Sequence, residues 1–107
     1  MNVNLLVLRC DDILISKAFY EDVFGLVFQE EKHGTGPTHY STFIGEIVLE
    51  LYPKSGKDTS GLRLGLKVTK LSEIFSKLRA LEIPFIERTN SIEITDPDGH
   101  VIHVSSK

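Results

Sequence analysis

Two stretches, LVLRCDDI at Leu6–Ile13 and LGLKVTKL at Leu64–Leu71, carry one pattern: apolar β-formers, then polar residues able to open a helix. A second pair follows each of them in the same order, GLVFQE at Gly25–Glu30 and EIPFIE at Glu82–Glu87. Self-similarity that preserves the order of elements marks a structural repeat. The chain therefore reads as two copies of one module.

Working outward from the first stretch, residues 3–10 form a Val/Leu-rich strand that ends at Asp11-Asp12, both good N-cap residues. A helix over Ile13–Phe24 then places Ile15, Ala18, Phe19 and Val23 on its apolar face and Lys17, Glu21 and Asp22 toward water, with Gly25 as the stop. Three strands follow at Leu26–Glu31, His39–Ile44 and Glu46–Tyr52, separated by a loop at Gly34–Pro37 and a tight turn at Gly45. The polar stretch 53–60 (PKSGKDTS) is a linker. In the second copy, Leu62–Val68 is a strand, Thr69 the N-cap, and Leu71, Ile74, Phe75, Leu78 and Leu81 a helical stripe. Strands at Phe85–Glu87, Ser91–Thr95 and Val101–Ser105 complete it, the last two joined through an Asp96-Pro97-Asp98-Gly99 turn in which Gly99 takes positive φ.

The expected fold is α+β: two βαβββ-like modules, about 1–54 and 61–107, forming a curved mixed or antiparallel sheet with the helices on its outer face. The inner faces are left for a cavity or a subunit contact. At 107 residues the chain is one domain with no room for a separate lid, so a sizeable cavity calls for a partner subunit.

Composition narrows the partners. A net charge of −3 gives no electrostatic footprint for nucleic acid or an anionic membrane. No apolar run approaches the roughly 20 residues that span a bilayer, and residues 1–9 lack the features of a secretory signal. The lone Cys10 excludes an internal disulfide and a Cys-rich zinc site and fits a reducing compartment, with the cytoplasm as the expected location. Cys10 ends a strand beside two aspartates, an environment for a small core residue and not for an activated thiolate.

The stretch DDILISKAFYEDVFGLVF, with Phe19-Tyr20 followed by Phe24-Gly25-Leu26, and the stretch DPDGHVIHV at Asp96–Val104 together resemble the glyoxalase/bleomycin resistance protein/dioxygenase (vicinal oxygen chelate) superfamily. The resemblance covers essentially the whole chain and agrees with the repeat found independently of it. It implies a scaffold that serves lyases, isomerases, dioxygenases, transferases and drug-sequestering proteins alike, so the site residues must decide. It also implies a homodimer, whose paired modules close the cavity.

Metal-dependent relatives carry a ligand on the first and the last strand of each module; here those positions are Leu5, Glu50, Arg63 and His103. Leu5 has no donor atom and Arg63 is a permanent cation, whereas a catalytic zinc-type site needs about three protein ligands. The expectation is therefore no metal and no cofactor, with His39 and Glu93 as the residues that could rebuild a non-standard site. Glu50, Arg63 and His103 remain, among apolar neighbours Leu5, Val7 and Phe43, with Tyr52 as the aromatic best placed to meet a ligand. Arg63 could clamp a carboxylate or phosphate, and Glu50 or His103 could move a proton. The bland readings are an internal Glu50–Arg63 ion pair, a surface or interface place for His103, and solvent-facing His33, His39 and His100. Phe19, Tyr20, Phe24, Phe28, Phe75 and Phe85 are expected in core packing.

Two function classes compete: a metal-free binder of a small anionic molecule in a cleft completed by a dimer, and a lyase, isomerase or dioxygenase-type enzyme with a non-standard site. A vestigial cleft serving only association is a third.

Overall fold

A computed structural model describes residues 1–56 and 61–107. The chain divides into two compact units, Met1–Thr59 and Ser60–Lys107. Unit one contains β1 (Leu5–Cys10), α1 (Ile13–Phe24), β2 (Gln29–Glu31), β3 (His39–Ile44) and β4 (Ile47–Pro53). Unit two repeats the order with β5 (Arg63–Val68), α2 (Leu71–Ala80), β6 (Ile86–Arg88), β7 (Ser91–Thr95) and β8 (Val101–Ser106). Each unit holds its own four-stranded mixed sheet, ordered β1-β4-β3-β2 and β5-β8-β7-β6. The first and last strands of each unit pair in parallel, and the other pairs are antiparallel. The α+β class and the two βαβββ modules stand as expected. Of the expected linker, Pro53 is the last residue of β4, and residues 57–60 lie outside the described residues.

Side chains alternate across a strand, so each sheet has two faces with different fates. In unit one, Leu8, Cys10, Leu49 and Leu51 are at most 1% exposed beneath α1, and in unit two Ile92, Ile94, Ile102 and Val104 are at most 2% exposed on the side of α2, whose Ile74 and Leu78 are also buried. Each such aliphatic side chain contributes about 1.5–3 kcal/mol when fully buried. Cys10 is the small core residue expected, its thiol directed to the Leu8 carbonyl at 3.6 Å.

Helix α1 begins where the Asp12 carboxylate accepts hydrogen bonds from the Leu14 and Ile15 amides at 3.0 and 3.4 Å. Its buried stripe is Ser16, Tyr20 and Val23; of the expected Ile15, Ala18, Phe19 and Val23 only Val23 is fully buried, and Ile15 is largely exposed. The helix is apolar around most of its circumference, so periodicity left its phase open; small Ser16 at i, i+4 from Tyr20 allows a close approach to the sheet. In α2 the N-cap is Lys70 without a side-chain cap bond, so Thr69 does not take that role. Strands β2 and β6 are shorter than or shifted from expectation, because only Gln29–Glu31 and Ile86–Arg88 find partners, on β3 and β7.

The repeat extends to the backbone past each helix. Gly25 and Glu82, which align in the sequence repeat, both adopt left-handed conformations, with φ of 70° and 57°. Only the first copy has glycine there, and a side chain in this region costs about 1–2 kcal/mol. Gly25→Ala should therefore destabilise the protein by about 1 kcal/mol and Glu82→Gly should stabilise it by up to about 1 kcal/mol. Urea unfolding of both variants checks this; equal signs for the two substitutions would refute the backbone account.

Candidate functional site

The faces turned away from the helices carry Glu31, His39 and Glu50 in unit one and Arg63, Glu93 and His103 in unit two. In unit one the register sets Leu5 beside Val48 and Val48 beside Phe43, then Val7 beside Glu50, Glu50 beside Ser41 and Ser41 beside Gln29. Arg9 pairs with Tyr52 and Glu31 with His39, so all of these share one face. Leu5, Glu50, Phe43 and Tyr52 are thus brought together as the alternation predicts. Leu5 is 49% and Phe43 69% exposed, which leaves apolar surface on this face open to solvent. A depression of about 350 Å³ lies among Val27, Glu31, His33, Phe43, Val48 and Glu50.

His39, expected to face solvent, is instead buried on this face, 1% exposed, in the row of Arg9, Tyr52 and Glu31. Tyr52 stacks on its ring at 4.1 Å and 12°, and His33 lies tilted against it at 5.2 Å. The ring covers itself with aromatic neighbours although the strand face as a whole is open. His39 Nδ1 is 3.2 Å from the Pro37 carbonyl oxygen. A carbonyl can only accept, so this nitrogen is the donor. Nε2 then points at Glu50 Oε2 (3.5 Å), Glu31 Oε1 (3.6 Å) and the Tyr52 hydroxyl (3.3 Å). The Tyr52 ring is occupied on this histidine, and Arg9 stands over it at 5.3 Å. That engagement limits the direct ligand contact expected of it. On the helix-facing side Tyr40 donates to Glu30 at 3.3 Å, and burial, then the Glu30 charge, push its hydroxyl pKa up.

In unit two the corresponding face holds Arg63 beside Val101 and Val101 beside Thr95, then Gly65 beside His103, His103 beside Glu93 and Glu93 beside Ile86. Lys67, Ser105, Ser91 and Arg88 make the next row. Glu93 receives Arg63 at 3.5 Å and Arg88 at 3.8 Å, so Arg63 has its carboxylate partner within its own unit. Arg63 remains 72% exposed, and the space over Gly65 is empty within 4 Å of where a Cβ would stand. Among the described residues of these strands, Arg63, Lys67 and Arg88 thus share a face with one carboxylate, Glu93. His103 is exposed at the centre of that face.

His100 also departs from expectation, being 4% exposed. Its Nδ1 lies 2.8 Å from Asp96 Oδ2, while Asp96 Oδ1 accepts from the Asp98 and His100 amides at 2.9 Å each. Asp96, Asp98 and His100 have metal-compatible spacing, but both Asp96 oxygens are engaged by the turn itself. This group locks the β7–β8 connection.

A protein built from two βαβββ units with one reactive open face each belongs to a recognisable class of duplicated α+β scaffolds. The profile of the Glyoxalase/Bleomycin resistance protein/Dioxygenase superfamily matches residues 2–104, and the chain belongs to that superfamily. Similar solved structures include a lactoylglutathione lyase from Agrobacterium tumefaciens (21% identity, 98% of this chain and 92% of that one, TM-score 0.74). Others are TnmS3, an antibiotic binding protein from Streptomyces sp. CB03234 (18%, 99% and 95%, 0.78), and the oxidase ChaP-H2 (15%, 100% and 94%, 0.82). No curated protein matches the sequence significantly. Among the described residues no helix is long and apolar enough to cross a membrane.

The metal positions that the family implies do not fit a metal here. Leu5 offers only carbon, and Arg63 is a cation already turned to Glu93, which leaves Glu50 and His103 as the only donors of the four. His39, named among the residues able to rebuild a site but expected to face solvent, is buried on this face of unit one, and its parity with Phe43 on one strand is the signal that places it there.

His39 should appear in long-range proton–nitrogen NMR spectra with its Nδ1 protonated and protected from exchange. A neutral ring protonated at Nε2 alone would contradict the hydrogen bond to Pro37.

Proposed function

We propose that the protein binds a small anionic molecule through the open face of unit two, in a cleft completed by a second copy of the chain. The observation that carries this reading is the charge imbalance around Glu93, where Arg63 and Arg88 share one carboxylate beside the bare backbone at Gly65. The Arg63–Glu93 contact is an exposed pair of the kind worth about 0–1 kcal/mol. Exchanging Glu93 for a ligand carboxylate or phosphate therefore costs little, and a planar guanidinium can hold either group through two parallel hydrogen bonds. His103, across from Gly65, adds a group able to donate or accept. The similar fold of an antibiotic binding protein is consistent with a binding role on such a scaffold, by analogy alone.

The second copy is suggested by Leu5, Val7 and Phe43, which are 49%, 37% and 69% exposed on the other open face. Association would remove that apolar surface from water. Light scattering should give twice the chain mass; a monomer at micromolar concentration would exclude the dimeric cleft.

Small carboxylates and phosphates at millimolar concentration should raise the melting temperature, with binding that weakens as salt is added. Arg63→Ala should lower the affinity about 10- to 100-fold, the equivalent of about 1.5–3 kcal/mol for a hydrogen bond to a charged group. If no anion in the panel shifts the melting temperature, or if Arg63→Ala binds as well as wild type, the reading fails.

A further inference from the structure

We propose that unit one holds a divalent transition-metal ion of the zinc type, bound by His39 Nε2, Glu50 and Glu31, with His33 as a fourth ligand. The site lies within one module and shares only Glu50 with the family's positions. It does not rest on the anion-binding reading.

Three observations converge on it. First, His39 donates Nδ1–H to a backbone carbonyl at 3.2 Å and presents Nε2 to carboxylates, the arrangement that fixes the tautomer and orientation of a metal-binding imidazole. Second, Nε2 stands at a ligand-to-ligand distance from each of two carboxylates, and the Glu31, His33 and His39 donors lie within 4.8 Å of one another. Ligands at about 2.0–2.2 Å from a tetrahedral ion stand roughly 3.3–3.6 Å apart. Nε2 lies 3.5 Å from a Glu50 oxygen and 3.6 Å from a Glu31 oxygen, longer than a good N–H···O hydrogen bond. His33 brings a ring nitrogen within 4.8 Å of the Glu31 and His39 donors, and as an exposed loop residue it can close that gap. Third, the charges call for a cation. An imidazole 1% exposed turns one nitrogen toward two carboxylates, and the depression they line presents Glu31 and Glu50 without a Lys or Arg among its lining residues.

The donor set selects the ion. Two imidazoles with two carboxylates suit zinc, cobalt or nickel, whereas calcium and magnesium favour oxygen alone. Glu31 is one-third exposed and Glu50 17% exposed, so the ion would face the 350 Å³ depression and could keep a water or an exchangeable ligand on that side. Tyr52, stacked on His39 with its hydroxyl 3.3 Å from Nε2, would hold the ring in place. It is a positioning residue.

The test is calorimetric titration of the chelator-treated full chain with Zn²⁺, paired with Co²⁺ titration followed by visible absorption. One ion per chain is expected, with a Co²⁺ spectrum distinct from the hydrated ion. Glu31→Gln and Glu50→Gln, which keep shape and spare the buried ring, should each weaken binding at least about 100-fold, and His33→Ala about tenfold. Arg63→Ala and His103→Ala should leave it unchanged. Absence of saturable binding overturns the proposal, as does binding that survives Glu31→Gln or is lost in His103→Ala. Because Arg63→Ala is the variant that tests anion binding, failure of either reading is seen without disturbing the other.

Discussion

The parallel pairing of the first and last strand in each unit is the constraint from which the rest follows. With Val7 beside Glu50 and Gly65 beside His103, the registers on both sides are determined, and alternation then sorts every residue to the helix side or the open side. A slip by one residue in β4 would carry Glu50 into the core and turn Leu49 and Leu51 to water. Their complete burial opposes such a slip by several kcal/mol, since each contributes about 1.5–3 kcal/mol. The position of Glu50 on the open face is thus enforced by its apolar neighbours in the chain. Core packing specifies the chemistry of the opposite face.

The same enforcement explains how a polar cluster persists on that face. Burying a histidine against two carboxylates would be costly if its other nitrogen lacked a partner. The Pro37 carbonyl removes that cost at Nδ1, and the stacked Tyr52 ring shields the flat side of the imidazole. On the open face of unit two, His103 is exposed. Arg63 and Arg88 reach Glu93 from exposed positions, where such contacts are weak and screened by solvent.

Much of the scaffold was legible in the sequence because several signals agreed: the order of the repeat, Asp12 and Gly25 bounding α1, and the turn at Asp96–Gly99 before the last strand. Strands β3 and β7 have the bounds that their patterns predict. The phase of α1 was not legible, since Ile13, Leu14, Ile15, Ala18 and Phe19 spread apolar surface around the helix and Ser16 does not advertise burial. Nor were the buried histidines, for a different reason. His100 is held by Asp96 within one turn, and His39 by a carbonyl two residues before it, local contacts that leave no periodic trace. Yet the tight turn at Gly45 makes Ile44 face Ile47, and counting back along the hairpin carries Phe43 to Val48 and Ser41 to Glu50. The same count brings His39 level with Tyr52, so its place was recoverable from the turn alone.

Comparing the two faces row by row shows how one module has been given two chemistries. The row Val7–Glu50–Ser41 in unit one corresponds by register to Gly65–His103–Glu93 in unit two, and Leu5–Val48–Phe43 to Arg63–Val101–Thr95. The last-strand position changes from a carboxylate to an imidazole, and the carboxylate reappears one strand over, at Glu93. The first-strand position changes from apolar to cationic. A repeated fold accepts these exchanges because all of them occur on the face that carries no core, where the helix and its buried leucines and isoleucines are indifferent to charge. The two open faces therefore differ in charge: Glu31 and Glu50 gather around the His39 imidazole on the first, and Arg63 and Arg88 gather around Glu93 on the second.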